Sequence, residues 1–206
     1  SDGRTGDGAG ILIEIPDDFF KKECKFNIPE FKEYAVGMVF LPPKKNQLNY
    51  CVDIFGEEIK RQGLNILGWR DVPVNSKVVG AIASQSQPNI KQVFVGKIDS
   101  NQTEKDFLLR LYIARKISEN RIYQSKLSQR SFFYFSSLHN KTIIYKGLLI
   151  PEDIERFYID LKNPMLVTRL ALVHQRFSTN TFPTWDLAQP FRYMCHNGEI
   201  NTLKGN

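Results

Sequence analysis

The residues with the clearest chemical potential lie near the end of the chain, in the segment HNGE at 196–199. An oxyanion, the charged oxygen that forms when an amide carbonyl is attacked, is stabilised by two donors that converge on one point. The side-chain amide of Asn197 and the N–H of Gly198 could supply these donors, and a residue without Cβ lets a substrate come close. Taken alone, however, Asn-Gly is more typical of a plain turn.

A second polar segment, HQRFSTNT at 174–181, follows an apolar run. An arginine at the end of a strand, followed by hydroxyl and amide side chains, concentrates hydrogen-bond donors where a sheet meets solvent. The guanidinium of Arg176 would suit two-pronged binding of a carboxylate. The residues alone favour the simpler alternative, a surface arginine beside a Ser/Thr turn.

The glycines of TGDGAG at 5–10 superficially suit a phosphate cradle, because glycine lets backbone N–H groups approach an anion. No strand pattern precedes them, a strand rather than a helix is predicted after them, and Asp7 would repel a phosphate. Neither a Rossmann nor a P-loop fingerprint is met. A structural turn is therefore the better interpretation.

The composition excludes several classes of function. The 206 residues are 42% hydrophobic, enough for one ordinary core, and 28 Lys and Arg spread along the chain exceed 22 Asp and Glu to give a net charge of +6. We interpret this charge as a solvated surface, with no nucleic-acid partner, and no apolar run reaches the length of a membrane span. Cys24, Cys51 and Cys195 are widely spaced, which argues against disulfides or a zinc site and favours a reducing compartment.

The pattern of apolar residues predicts alternating strands and helices. A Thr103 cap and an ending at Gly63 mark two of the helices. Strands are expected at 10–16, 34–43, 64–74 and 91–98, helices at 17–23, 46–63 and 103–120, a hairpin at 131–149, a short helix at 151–158 and a buried strand within 166–180. The result is an α+β or layered α/β domain with sheets more antiparallel than parallel.

Taken together, seven segments resemble a known family: TGDGAGILIEIP, YAVGMVFLP, LGWRDVPVN, QVFVG, TIIYKGLL, HQRFSTNTFPTWDLAQPFRY and HNGEINTLKGN. Their order and approximate spacing are similar to those of the glutaminase domain of glutamate synthase large subunits, over nearly the whole chain. The motifs HxRFSTNT and HNGEINT resemble the glutamine-site motifs of the wider class II, N-terminal-nucleophile amidotransferases.

The resemblance implies an α+β fold of four layers, α/β/β/α, in which two mainly antiparallel sheets pack between helices. It implies a single partial domain over 1–206, incomplete at both ends. In this family a cysteine that begins the mature chain attacks the side-chain amide of glutamine, and its own α-amino group acts as the base. The products are glutamate and ammonia.

Carried over to this sequence, the resemblance assigns five site residues. Arg176 would hold the α-carboxylate of glutamine, with Ser178 and Thr179 shaping that end of the pocket. Asn197 and Gly198 would stabilise the oxyanion.

The sequence also departs from the family pattern. Residue 1 is a serine that resembles an internal position of the family, so Ser1 is not expected to be the nucleophile. The cysteine and its strand are expected to be missing from these 206 residues, which would then be inactive alone. Cys195, in a strand-like run, is expected to be merely packed, and His196 to be a structural hydrogen-bonding residue.

For the whole protein, the resemblance implies FMN and a 3Fe-4S cluster, neither held by this segment. The implied partners are L-glutamine, the remaining domains of the same polypeptide, and ferredoxin or an NAD(P)H-oxidising small subunit as electron donor. Ammonia would pass internally to 2-oxoglutarate, and the compartment would be the cytoplasm or the plastid stroma. The alternative is a non-catalytic glutamine-binding or structural module derived from this domain.

Overall fold

The computed structural model describes residues 5–178 and 180–199. It divides the chain into two compact units. Unit 1 comprises Ser1–Ile13, Pro73–Gln87 and Ile144–Asn206, and unit 2 comprises Glu14–Val72 and Pro88–Ile143. Three separate stretches of sequence therefore build unit 1.

The elements alternate along the chain much as the sequence predicts. In order they are β1 (Ala9–Glu14), α1 (Asp17–Glu23), β2 (Tyr34–Leu41), α2 (Lys45–Arg61), β3 (Leu64–Asp71), α3 (Ala81–Gln85), β4 (Asn89–Lys97), α4 (Glu104–Tyr123), β5 (Tyr134–His139), β6 (Thr142–Gly147), α5 (Ile154–Phe157) and β7 (Ala171–His174). Short 3-10 helices cover Ser76–Val78, Arg130–Phe132, Pro151–Asp153 and Ile159–Lys162. None of the helices in the described ranges is long and apolar enough to cross a membrane.

Unit 2 is built on a four-stranded antiparallel sheet in the order β3-β4-β2-β5. Helices α2 and α4 cover an apolar core that includes Ala35 and Val39 from β2 and Phe55 from α2. All eight residues of β2 are buried, as expected for a central strand covered on both faces.

Two local signals of unit 2 are confirmed. The side chain of Thr103 accepts a hydrogen bond from Asp106 N at 3.2 Å, which caps α4. Gly63 has a φ of 67° just after α2, a conformation that glycine adopts without strain.

Unit 1 holds a three-stranded sheet in the order β6-β1-β7. Strands β1 and β7 are antiparallel, with Gly10 opposite His174 and Ile13 opposite Ala171. Trp185 is buried beside this sheet and donates from Nε1 to Ala83 O at 3.0 Å. With both sheets containing antiparallel pairs and with helices in both units, the predicted α+β class is confirmed.

The predicted hairpin at 131–149 is wrong. Its two strands exist, but β5 belongs to the four-stranded sheet and β6 to the three-stranded sheet. The turn between them is held from elsewhere, because buried Asn140 donates from Nδ2 to Lys32 O at 3.3 Å and to Glu104 Oε1 at 3.4 Å. A local turn signal shows that the chain reverses but does not choose the strand's partner.

The strand expected within 166–180 is shorter and more exposed than predicted. Only Ala171–His174 forms β7, and its residues alternate between exposed and half-buried, with Val173 60% exposed. Among residues 5–178 and 180–199, the sheet neighbour of β7 is β1, at the end of the order β6-β1-β7.

Candidate functional site

The candidate site begins where β7 ends. His174 is the last residue of the strand and Arg176 lies two residues beyond it. Opposite His174, a Cβ added to Gly10 would lie 2.5 Å from Gln189 O. Glycine is therefore required there, because the loop that leads to HNGE crosses the strand at close range.

His174 joins the two polar motifs. Its Nδ1 accepts a hydrogen bond from the backbone N–H of Arg176 at 3.3 Å, so the ring proton sits on Nε2. Nε2 lies 2.8 Å from Asn197 Oδ1 and donates to it. The amide of Asn197 is thus oriented with its oxygen toward His174, and Nδ2 donates to no other group among the described residues.

A groove of about 580 Å³ opens beside this pair. It is lined by Val173, His174, Gln175, Cys195, His196 and Asn197. Both motifs therefore contribute to one concave, polar surface that leaves room for a small ligand.

Gly198, the second proposed oxyanion donor, has its N–H directed at His196 Nδ1, 3.1 Å away. The same imidazole nitrogen would lie 3.0 Å from a Cβ at Gly198. In this conformation the Gly198 N–H donates to His196 Nδ1 and is therefore not available to an oxyanion. The two proposed donors thus differ: Asn197 Nδ2 is available and the Gly198 N–H is engaged within the chain.

Arg176 lies on the same loop and already contacts a carboxylate. Its Nε is 3.1 Å from Asp7 Oδ2, and both side chains are about half exposed. Asp7 lies in the glycine-rich segment, and its backbone is held beside the Arg176 loop because Phe177 N donates to Asp7 O at 3.0 Å. The next residue, Gly8, has a φ of 100°. In the TGDGAG segment the chain bends at Asp7 and then enters β1 at Ala9, and the bend presents a carboxylate to Arg176.

The hydroxyl of Ser178 accepts from the backbone N–H of Asn180 at 3.1 Å and of Thr181 at 3.4 Å, so it organises the turn after Arg176. Thr179 lies outside the described residues. Asn180 donates from Nδ2 to Glu199 Oε1 at 2.6 Å, a second link between the two motifs.

Gln189 forms a third link, from a buried position. Its Oε1 accepts from His196 N at 2.9 Å, and its Nε2 donates to His196 O at 3.3 Å and to Phe177 O at 3.5 Å. The side chain is fully buried, so these bonds satisfy an amide that water cannot reach.

Lys146 is a fully buried lysine that contacts the same loop. Its Nζ donates to Asp186 O and Ala188 O, both at 2.7 Å, and lies 4.8 Å from the centre of the Phe191 ring. Burial lowers the pKa of this ammonium to about 7, an effect that Asp186 opposes and Arg192 reinforces.

The cysteines are placed differently from one another. Cys51 is buried in unit 2, and burial raises the pKa of its thiol to about 12. Cys195 is half-buried and lines the groove. The strand-like run expected around it is wrong, because Phe191 and Met194 bond to each other across a tight turn in which Arg192 has a φ of 50°. His196 is a hydrogen-bonding residue, as expected, through its backbone and Nδ1.

No group of three or more His, Cys, Asp or Glu side chains that could hold a metal ion occurs in ranges 5–178 and 180–199.

Three residues that organise the site were not assigned roles from the sequence. His174 is the first residue of the HQRFSTNT motif, and this position in the motif could have indicated a role in the site. Gln189 and Lys146 carry no local signal, since an amide or a lysine is usually exposed and only the fold shows that these two are buried.

The chain matches the family described as class-II glutamine amidotransferases over residues 1–206. It is 49% identical over 207 residues to a glutamate synthase [NADPH] large chain of Bacillus subtilis, covering 100% of this chain and 13% of that protein. It is 46% identical over 220 residues to a glutamate synthase [NADH] of Saccharomyces cerevisiae, covering 100% of this chain and 10% of that protein.

A ferredoxin-dependent glutamate synthase 1, chloroplastic/mitochondrial, of Arabidopsis thaliana is 42% identical over 209 residues, again covering 100% of this chain and 13% of that protein. The chain therefore spans only 10–13% of the length of these relatives. The resemblance drawn from the motifs is confirmed, and the chain belongs to the class-II glutamine amidotransferases.

Proposed function

We propose that this chain belongs to the glutamine-hydrolysing part of a glutamate synthase, and that the full-length protein converts L-glutamine to glutamate and ammonia. The observation that carries the proposal is the His174–Asn197 pair, which leaves Asn197 Nδ2 available in a groove next to the loop that bears Arg176. The identity of 49% to a glutamate synthase [NADPH] large chain supports the same conclusion.

Arg176 binds the α-carboxylate of glutamine in this proposal. Asp7 meets only Nε of its guanidinium, which has further N–H donors for an incoming carboxylate. An exposed ion pair of this kind contributes little to stability, so exchange of Asp7 for a substrate carboxylate is not costly. Ser178 fixes the turn behind Arg176.

Asn197 and Gly198 stabilise the oxyanion at the other end. Attack of a cysteine thiolate on the side-chain amide carbon moves an electron pair onto the carbonyl oxygen, and Asn197 Nδ2 donates to it. Gly198 can donate as well once His196 Nδ1 releases its N–H. The α-amino group of that cysteine, which took up the thiol proton, returns a proton to the amide nitrogen as the intermediate collapses. Ammonia leaves, a thioester remains on the cysteine, and water hydrolyses the thioester to release glutamate and regenerate the thiol.

The rest of the proposal concerns the whole protein. Ammonia passes to 2-oxoglutarate to form a second glutamate in domains of the same polypeptide that carry FMN and a 3Fe-4S cluster. The electron donor is ferredoxin or an NAD(P)H-oxidising subunit, in line with the names of the relatives, which include NADPH, NADH and ferredoxin-dependent proteins. The compartment is the cytoplasm or the plastid stroma.

The test uses Asn197→Asp in the full-length protein. Aspartate keeps an oxygen for His174 Nε2 and replaces the proposed donor with an acceptor of the same shape. The glutamine-dependent rate should fall about 10²-fold or more with little change in KM, as expected for loss of one oxyanion donor. The ammonia-dependent rate should persist.

Asn75→Asp is the matched control, because Asn75 also accepts through Oδ1, from Lys77 N at 3.2 Å, in a turn of unit 1. Both rates should stay near wild type in this variant. An unchanged glutamine-dependent rate in Asn197→Asp would rule out the oxyanion role. Absence of glutamine hydrolysis by the wild-type protein would instead favour the non-catalytic module.

A further inference from the structure

Gln189 contacts the main chain beside both ends of the proposed glutamine pocket. Phe177, whose carbonyl accepts from Gln189 Nε2, directly follows Arg176. His196, whose N–H and carbonyl both bond to the Gln189 amide, directly precedes Asn197. One buried side chain thus ties the carboxylate-binding segment to the oxyanion-binding segment.

The separation of these two segments matters for the chemistry. Glutamine carries its α-carboxylate and its reacting amide at opposite ends, so Arg176 and Asn197 must stand at a fixed distance for both to engage it. A displacement on the order of 1 Å can cost about 10²-fold in rate. We propose that Gln189 is a positioning residue that sets the spacing between the two ends of the pocket, an inference that rests on the proposed function.

The backbone around Gln189 is itself held in place. Lys146 Nζ donates to the carbonyl of Ala188, the preceding residue, at 2.7 Å. The Gln189 carbonyl lies so close to Gly10 that a Cβ there would come within 2.5 Å of it. An amide fixed at its backbone and bonded at its tip transmits a defined geometry, whereas a mobile side chain would not.

Gln189→Glu in the full-length protein separates positioning from simple loss of structure. The carboxylate keeps an acceptor for His196 N but cannot donate to the carbonyls of His196 and Phe177. Burial opposite two carbonyl oxygens favours its neutral form, which regains one O–H donor. The kcat/KM for glutamine should fall about 10- to 100-fold near pH 8 and recover relative to wild type as the pH is lowered toward 6.

Two variants complete the design. Gln189→Met has neither donor nor acceptor and should lose activity without recovery at low pH. Gln47→Glu is the matched control, because Gln47 is also buried, with Oε1 accepting from Gln129 N at 2.8 Å and Nε2 donating to Ser128 Oγ at 2.9 Å in unit 2. It should keep wild-type kinetics for glutamine and ammonia.

Wild type is measured at every pH because Asp7, Lys146, Asp186, Arg192 and His196 are titratable or charged groups of the surrounding segments. Only the ratio of variant to wild type is interpreted. Wild-type kinetics in both Gln189 variants, equal losses with glutamine and ammonia, or a Gln189→Glu ratio that does not change with pH would each overturn the inference. Failure of the proposed function appears differently, as absence of glutamine hydrolysis in the wild type.

Discussion

Unit 2 and unit 1 stabilise their backbones by different means. In unit 2, an apolar core that includes Phe55 and Phe107 packs under a regular sheet and two long helices. Its buried charge at Glu58 sits on α2, where Arg61 and Arg121 meet it. In unit 1, the loop that carries the proposed site has little regular structure, and buried Lys146 and Gln189 bond directly to its main chain.

The difference follows from how backbone polar groups are satisfied. A strand or helix pairs its own N–H and C=O groups, so apolar side chains suffice to cover it. Among its described residues, the loop 175–199 has only scattered backbone pairs, such as that of Phe191 with Met194, and side chains supply further partners. The arrangement leaves an irregular surface, and binding residues commonly occur on loops of this kind that a regular scaffold positions.

The largest expected effect is on the apolar core of unit 2. Phe55 is fully buried, and its ring centre lies 4.9 Å from that of Phe135 and 6.2 Å from that of Trp69. Phe55→Ala should lower the free energy of unfolding by about 3–5 kcal/mol. Urea unfolding of the 206-residue chain, followed by circular dichroism, measures this. Tyr50→Ala, on an exposed position of the same helix, is the control. A loss of unfolding free energy below about 1 kcal/mol for Phe55→Ala would contradict the contrast between the apolar core of unit 2 and the polar contacts of unit 1.

The next largest expected effect is on how the unfolding free energy of unit 1 depends on pH. Burial lowers the pKa of Lys146 to about 7 in the fold, against the usual 10.5 of a lysine. Between these values the unfolded chain binds more protons, so this group makes the unfolding free energy rise with pH, by a few kcal/mol in total. Lys146→Met should remove that rise.

Trp185 of unit 1 reports this transition by fluorescence when Trp69 of unit 2 is replaced by phenylalanine. Lys116→Met, at an exposed lysine that pairs with Glu119, is the control and should keep the wild-type slope. If Lys146→Met and its parent give parallel curves from pH 7 to 10, Lys146 carries no buried-charge cost, and the contrast between the units weakens.

The smallest effect concerns a helix end in unit 2. Thr103→Ala removes the acceptor for Asp106 N and should cost about 1 kcal/mol of unfolding free energy, whereas Thr103→Ser keeps the oxygen and should cost less. Thermal unfolding of the wild type, Thr103→Ser and Thr103→Ala measures the order of their stabilities. The glutamine-dependent rate of the full-length protein should not change, and a large loss of that rate would mean that the two units are functionally coupled.

Local signals in the sequence determined the elements and the family. Period and caps located α2 and α4, including Thr103 and Gly63, because these features depend on neighbours a few residues away. The α+β class and the N-terminal-nucleophile type of fold followed from the family motifs and are confirmed by the family match. The apolar pattern located α4 but does not determine its buried face, since Tyr112 and Ile117 are exposed while Arg115 is buried.

Only the tertiary structure decided which segments meet. It sent β5 and β6 to different sheets, left β7 at an edge, paired His174 with Asn197 and buried Gln189 and Lys146 against the loop main chain. Each of these depends on contacts between residues distant in sequence, which no local period or turn signal encodes. A polar side chain has the same local pattern whether water or a backbone carbonyl is its partner, so the sequence supplied the chemical groups and the fold determined their partners.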